Sequence, residues 1–366
     1  MKIAVLMGGP SLERSISLLT GAEVLRDLVA RGRRAFPVVL DAGAELRVGR
    51  TPADEVELER LLRAPELPDD SPFLLSRGSL LEGTRLLADL GTDVVFVALH
   101  GSPGEDGSLQ AWLEWAGLPH TSSGPRASLL ALDKVAFKSL ADHAGIPTPE
   151  WTLLTADEVR RDAAAAARRA AARTGYPAVV KACDQGSSYG VHMVRDAAEA
   201  EAALVSCAAM APLALQEAFV AGTELTCAVL GTADEETPEA WPVVEIVPRR
   251  ESWFDFESKY ADGGADEIVP ARIPADVARE MQELAVRVHR LLGCHGISRT
   301  DAILGPEGLR VLETNTIPGL TRASLAPKAA AAAGIGFSGL IDRLIAGALH
   351  RGRPWHRDEG ERAAHA

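Results

Sequence analysis

Arg299-Thr300-Asp301-Ala302-Ile303-Leu304, then Gly305-Pro306-Glu307-Gly308, then Leu309-Arg310-Val311-Leu312-Glu313-Thr314-Asn315 read as strand, turn and strand. Side chains alternate faces along a strand, so Glu313 and Asn315 point the same way. The turn folds Asp301 back to the level of Glu313, a register that sequence sets to within about one residue. Two carboxylates and an amide converge at the open end, with Arg299 as the basic residue beside them. Close carboxylates repel unless a proton or a cation lies between them. Hard oxygen donors of this kind suit Mg²⁺, which completes its shell with water and substrate phosphate oxygens. The hairpin therefore points to chemistry on a nucleoside triphosphate. A surface hairpin with solvated acids accounts for the same motif taken alone, so the rest of the chain must decide.

The length of 366 residues gives room for two or three domains, and 47% hydrophobic with 24% charged residues is ordinary for a globular protein. A net charge of −13 argues against nucleic acid as a partner. It leaves ATP open, because a few lysines and a metal ion neutralise phosphate locally. Cys183, Cys207, Cys227 and Cys294 form no C-x-x-C pair and are expected to be reduced, mostly buried thiols. The apolar run Ile3–Met7 is too short for a signal peptide, and no apolar stretch approaches a membrane span. The expectation is a cytoplasmic protein with no membrane partner.

Around the hairpin the pattern is α/β. Lys2–Met7 reads as a strand that meets Gly8-Gly9-Pro10, followed by a helix from about Ser15 to Ala30 and a second strand Arg34–Leu40. Asp93–Leu99 is a continuous apolar run, as in a strand buried on both faces, and it ends in His100-Gly101. This is a doubly wound unit, whose ligands sit at the carboxyl ends of strands. The Pro- and Asp-rich stretch 41–90 carries no clear assignment. A helix is expected over Ala127–Ala144, carrying Lys134. Another should open at the capping box Thr155-x-x-Glu158 and stop at Gly175, its alanine run reflecting helix propensity on a surface. Pro177–Lys181 reads as a buried strand ending in a lysine, and a further strand ends at Leu215-Gln216-Glu217.

Lys181 at a strand end is a compact positive charge fit for phosphate oxygens. A lysine snorkelling at a strand terminus is the plainer reading. Gly186-Ser187-Ser188-Tyr189-Gly190 offers backbone N–H groups and two hydroxyls on a loop suited to a phosphate lid, or to an ordinary turn. Neither a Walker loop nor a G-x-G-x-x-G fingerprint occurs. Glu13 near a helix start is favoured by the helix dipole, and equally suits a substrate ammonium. His100 serves as an orienting group or as a satisfied core histidine. Lys259-Tyr260, ahead of a glycine-containing loop, suggests a mobile active-site segment.

Taken in order, these motifs resemble the D-alanine–D-alanine ligases of the ATP-grasp superfamily. The resemblance runs from Lys2 to about Leu349. It is carried by Met7-Gly8-Gly9-Pro10-Ser11-Leu12-Glu13-Arg14, Ala98-Leu99-His100-Gly101, Gly104-Glu105-Asp106-Gly107, Leu132-Asp133-Lys134, Glu257-Ser258-Lys259-Tyr260 and Glu313-Thr314-Asn315-Thr316-Ile317-Pro318-Gly319-Leu320-Thr321. It implies a three-domain ATP-grasp fold with an N-terminal doubly wound parallel sheet over 1–123, a central subdomain over 124–218, a C-terminal subdomain over 219–350 and a tail over 351–366. The nucleotide would lie between the central and C-terminal parts.

The resemblance also implies roles for residues. Lys134 and Lys181 would contact ATP, Glu217 and Val220 the adenine, Glu224 the ribose, and Ser187 and Ser188 the phosphates. Asp301, Glu313 and Asn315 would hold two Mg²⁺ or Mn²⁺ ions. Glu13, with Ser187 and Tyr260, would hold the ammonium of a first D-alanine, supported by His100. Arg299 and the N–H of Gly319 would stabilise the oxyanion, and Lys259, Ser324 and Leu325 would take the carboxylate of the second D-alanine. The implied reaction makes an acyl phosphate from the first D-alanine and ATP, then D-alanyl-D-alanine for peptidoglycan synthesis, in a cytoplasmic homodimer. Ala182, Gln185 and Ile317 depart from the commoner family pattern, which bears on the acceptor. D-lactate, D-serine or another amino acid is the alternative acceptor, although Tyr260 favours D-alanine. A non-catalytic nucleotide-binding module and a nicotinamide-dependent oxidoreductase are the remaining alternatives.

Overall fold

A computed structural model describes residues 1–183, 190–232, 238–248 and 265–352. Lys2–Gly8 (β1), Arg34–Leu40 (β2), Leu46–Gly49 (β3), Leu74–Gly78 (β4) and Val94–Val97 (β5) form one sheet in the order β4-β3-β2-β1-β5. Strand β1 runs parallel to β2 and β5, whereas β3 is antiparallel to β2 and β4. The expected parallel sheet is thus parallel only in β1, β2 and β5. Residues 41–90 supply an antiparallel edge, because β2 and β3 are joined by a short turn. Asp41 Oδ1 closes that turn on the N–H groups of Gly43 (2.8 Å) and Glu45 (3.0 Å), and so few residues cannot make a parallel crossover. Helices cover both faces. Leu18, Leu25 and Leu28 of the helix Arg14–Ala30 pack with Ile3, Val5 and Met7. On the other face Leu87, Leu109 and Leu113 pack with Ala4, Leu6 and Val97.

Trp151–Thr155 (β6), Ala178–Ala182 (β7), Val191–Val194 (β8) and Leu213–Ala218 (β9) form an antiparallel sheet in the order β6-β9-β7-β8. Two expected helices are each divided. The first breaks at Asp133, which caps Lys134–His143 by accepting from Val135 N (2.9 Å) and Ala136 N (3.0 Å). The second breaks at Asp162, which accepts from Ala165 N (2.8 Å) and opens Ala163–Thr174. In both places a short carboxylate satisfies helix N–H groups that a continuous helix would have paired internally. The alanine run is not merely a surface stretch. Ala166, Ala167 and Ala170 are buried in one cluster with Ala203, Leu204 and Cys207 of the helix Ala197–Met210.

Thr223–Thr232 (β10), Glu239–Ala240 (β11), Val244–Pro248 (β12), Ala265–Ile268 (β13), His295–Gly305 (β14) and Gly308–Asn315 (β15) form the third sheet. Its order is β13-β12-β10-β14-β15, with β11 on β10. Phe137 and Ala141 share a core with Leu225, Val229 and Val311 of this sheet and with Met281 and Val288 of the helix Ala275–Leu292. The helix Lys134–His143 thereby packs on the late sheet, while Lys134 N reaches Cys183 O at 3.4 Å beside the middle one. Leu340 and Leu344 of the helix Phe337–Arg351 join the cluster of the first sheet. All four cysteines are buried and none of them forms a disulfide.

Candidate functional site

Asp301 faces Glu313 across the hairpin, and Arg299 faces Asn315. The turn at Pro306-Glu307 would, in a regular ladder, set Leu312 opposite Asp301 and send Glu313 to the far face. A bulge between Asp301 and Ala302 adds one residue to β15 and corrects the count. On the other side of β14, Thr226 lies opposite Asp301 and Glu224 opposite Ile303. Period-two alternation then gathers Glu224, Thr226, Arg299, Asp301, Glu313 and Asn315 on one face. The opposite face carries Ala302, Leu309 and Val311 in the core and the hydroxyl pair Thr300–Thr314 at 2.9 Å.

Arg299 grips Asp301 with two bonds, Nε to Oδ1 at 2.9 Å and Nη2 to Oδ2 at 2.8 Å. Thr226 Oγ1 donates to Oδ1 at 2.5 Å and Asn315 Nδ2 to Oδ2 at 3.3 Å. Among the described residues no three His, Cys, Asp or Glu side chains are gathered for a metal. The third oxygen donor here is an amide. Opposed carboxylates and an amide on rigid strands fit a hard cation.

Across from this acidic face stands a cationic group. Glu217 on β9 is 2% exposed; Oε1 accepts from Lys181 Nζ, and Lys138 Nζ forms an ion pair with Oε2 at 2.9 Å. Burial alone would raise the Glu217 pKa, but the two ammonium groups bring it down to about 2. Burial would lower that of Lys181, but the carboxylates of Glu217, Glu313 and Glu224 turn the shift upward. Burial, with Lys181 nearby, lowers that of Lys138 despite the Glu217 contact. Lys134 Nζ lies 3.6 Å from Glu313 Oε2. Lysines from the middle of the chain and acids from the late hairpin therefore meet around one cleft, lined by Glu105, Lys134, Glu313, Asn315 and Thr316.

At the edge of this cleft the first sheet contributes Glu13 and His100. Glu13 is the N-cap of the helix Arg14–Ala30 and makes no side-chain cap bond. A side chain at Gly101, whose φ is +67°, would come within 3.2 Å of Glu13 Oε2 and 2.9 Å of Ser11 Cβ, so glycine keeps this edge open. His100 is buried, with Thr20 Oγ1 at 3.3 Å from Nε2 and the Ile317 carbonyl at 3.1 Å from Nδ1. Burial lowers its pKa, which leaves a neutral ring bracing two elements. Glu105 is pushed up to about 8 by burial and by Glu13, although Gly101 N donates to it at 2.8 Å.

Val220 packs against the hairpin turn; a Cβ at Gly305 would meet its Cγ1 at 2.8 Å. The turn after β15 is closed on itself. Thr321 N donates to Ser324 Oγ at 3.1 Å, and Ser324 N to Thr321 O at 2.9 Å. A Cβ on Gly319 would lie 2.9 Å from Ser324 Oγ. Ser324 occupies the N-cap position of the helix Leu325–Ala332, with its hydroxyl bonded to Thr321 and not to a helix N–H. Ser187, Ser188, Lys259 and Tyr260, and the departure at Gln185, lie outside the described residues. Of the other departures, Ala182 donates its N–H to Gly190 O at 3.1 Å, a bond a proline could not make. The Ile317 side chain is buried with the first sheet's core.

Three site residues escaped sequence reading. Lys138 follows Lys134 by four, a spacing that puts both on one helix face. Thr226 alternates with Glu224 along β10. Glu105 stands in the quoted Gly104–Gly107 motif, and only the fold brings it to the cleft.

Comparison with known proteins bears on this arrangement. A family model described as "D-ala D-ala ligase N-terminus" matches residues 2–123, and one described as "D-ala D-ala ligase C-terminus" matches 140–346. A D-alanine–D-alanine ligase of Desulforudis audaxviator is 39% identical over 345 residues, covering 94% of this chain and 97% of its own. The one from Moorella thermoacetica is 37% identical over 346 residues, covering 94% and 98%. Among solved structures, the VanG D-Ala:D-Ser ligase of Enterococcus faecalis superposes with TM-score 0.77 at 30% identity, over 95% of this chain and 99% of its own. The D-alanine–D-alanine ligase of Coxiella burnetii superposes with TM-score 0.76 at 26% identity, over 96% of each chain.

Proposed function

The chain belongs to the D-alanine–D-alanine ligase family, and on that premise we propose that its cleft joins two D-alanines with ATP between the lysine group and the late hairpin. The protein is an ATP-dependent ligase of the ATP-grasp fold, acting in peptidoglycan precursor synthesis. The observation that carries the site assignment is the closure of Lys134, Lys138 and Lys181 upon Glu217 and Glu313.

In this reading Lys134 and Lys181 take the phosphates. Glu217, fully ionised, orients Lys181. Glu217 and Val220 border the adenine and Glu224 the ribose. Asp301, Glu313 and Asn315 hold two Mg²⁺ or Mn²⁺ ions; the chemistry such ions supply when bound is charge neutralisation at the transferring phosphate. Glu13 anchors the ammonium of the first D-alanine, and His100 holds that edge in place. A carboxylate oxygen of this substrate attacks the γ-phosphorus and ADP departs. The deprotonated amine of the second D-alanine then attacks the acyl carbon and phosphate departs. Arg299 and the Gly319 N–H face the oxyanion, which requires Arg299 to release Asp301 as a cation arrives. Ser324 and Leu325 meet the acceptor carboxylate. Lys259, Tyr260, Ser187 and Ser188 complete the set, as the resemblance implies.

No single helix among the described residues is long and apolar enough to cross a membrane. The substrates are small molecules, ATP and D-alanine. The reading places the protein in the cytoplasm beside the ATP supply, as a homodimer like its family; sedimentation tests the dimer. The assay that tests the function is ADP release with Mg²⁺ and single amino acids. D-alanine should give turnover and D-alanyl-D-alanine, and D-serine, D-lactate and L-alanine at least tenfold less. Faster turnover with D-serine would move the assignment toward the reaction named for the VanG neighbour. No turnover with any of them would remove the ligase assignment.

A further inference from the structure

The helix Arg14–Ala30 begins next to Glu13 and meets Arg322 of the turn after β15 through Glu23 and Asp27. Thr20, Glu23, Asp27 and Arg31 recur at three- and four-residue spacing, so they lie on one face of it. Thr20 braces His100, which holds the Ile317 carbonyl. Glu23 Oε2 accepts the backbone N–H of Arg322 at 2.7 Å. Asp27 Oδ1 accepts from Arg322 Nη2 at 3.4 Å and from Ser338 Oγ at 2.5 Å. The Arg322 guanidinium stacks 4.4 Å above the Phe337 ring.

Arg322 stands between Thr321 and Ser324, the two residues that close the turn. Because Ser324 shares three hydrogen bonds with Thr321 and is packed against Gly319, a displacement of Arg322 carries the whole turn with it. From Glu13 to Glu23 the helix spans about 15 Å at 1.5 Å per residue. One rigid rod therefore holds both the group assigned to the first ammonium and the turn assigned to the acceptor.

We infer that Glu23 is a positioning residue for the acceptor subsite: through the Arg322 N–H it fixes how far the Gly319–Leu325 turn stands from Glu13, and so how tightly the second amino acid is held. The inference rests on the ligase reading of the cleft. A hydrogen bond from an amide to a carboxylate is among the stronger ones available to a loop, and Arg322 adds a weaker, partly exposed pair to Asp27.

The test compares Glu23→Ala with Glu23→Gln, whose amide oxygen can still accept the N–H. In wild type, D-alanine dependence is resolved into first-site and acceptor KM values. Glu23→Ala should raise the acceptor KM about tenfold while the KM values for ATP and the first D-alanine stay within about twofold. Glu23→Gln should restore most of the loss. Parallel rises in every KM, or no rise in a folded variant, overturn the inference. Amide hydrogen exchange over residues 317–325 provides a readout independent of turnover. It should quicken in Glu23→Ala and not in Glu23→Gln, and unchanged exchange overturns the inference even if the ligase assignment stands. Absence of dipeptide in the wild type instead removes the ligase reading, while the exchange result still decides whether Glu23 holds the turn.

Discussion

Asp301→Asn should lower ATP-dependent dipeptide formation by about 10³-fold while the protein stays folded. Asparagine keeps the shape of the side chain. Its one oxygen can still accept from Arg299 Nε and from Thr226, while its NH2 cannot accept from Arg299 Nη2 or Asn315 Nδ2, so two of the four bonds remain. The larger loss is the charge. In wild type Asp301 stands directly opposite Glu313, and these two carboxylates are the only acidic pair the bulge brings together across β14 and β15. Neutralising one halves the negative charge offered to a divalent cation and removes the Asp301 charge from beside Arg299. Saturating ADP-release kinetics measure the first effect, and thermal unfolding measures whether the fold persists. Retained turnover would sink the cation-holding role. A large fall in melting temperature would mean that Asp301 mainly holds Arg299 and β10 together. Loss of Mn²⁺ binding in calorimetry would connect the kinetic defect to the metal.

Glu217→Ala should destabilise the protein by about 3–5 kcal/mol, because it strands two buried lysines without their shared carboxylate. Glu217→Gln should cost less and change the response to acid. The folded-state pKa of Glu217 is about 2 against an ordinary value of 4.5. Burial opposes this shift, and the fields of Lys138 and Lys181 overcome it. A carboxylate with a depressed folded pKa contributes stability that is complete above its unfolded value and is lost as pH falls through the folded one. The wild type should therefore lose stability between about pH 4.5 and 2 more steeply than Glu217→Gln. Urea unfolding of both proteins across that range measures the difference. Identical slopes would mean that the pair is already broken in the native state.

Much of the architecture was legible because it is local. Apolar runs placed β1, β2 and β5 within a residue or two, and the glycine turn placed the late hairpin. The 41–90 stretch was not legible, since its short strands β3 and β4 owe their existence to pairing with β2. The helix breaks at Asp133 and Asp162 were missed because a carboxylate that caps a new helix and one that merely decorates an old one look alike in sequence. Alanines 166, 167 and 170 misled for a related reason. Helix propensity and close helix packing favour the same residue, and only the neighbouring helix distinguishes them.

The order and chemical type of the site residues belong to the sequence alone: oxygen donors spaced two apart on one strand, lysines at a strand end and a helix start, glycines where backbone must pass closely. Alternation and turn chemistry act over a few residues, so they can be read without a fold. Which of those groups face each other was decided by tertiary structure. The bulge at Leu312 that sets Asp301 opposite Glu313, the convergence of Lys138 and Lys181 on Glu217, and the reach of Glu23 to Arg322 join residues 12 to 299 positions apart. Contacts at such separations depend on sheet register and helix docking, which no local pattern encodes.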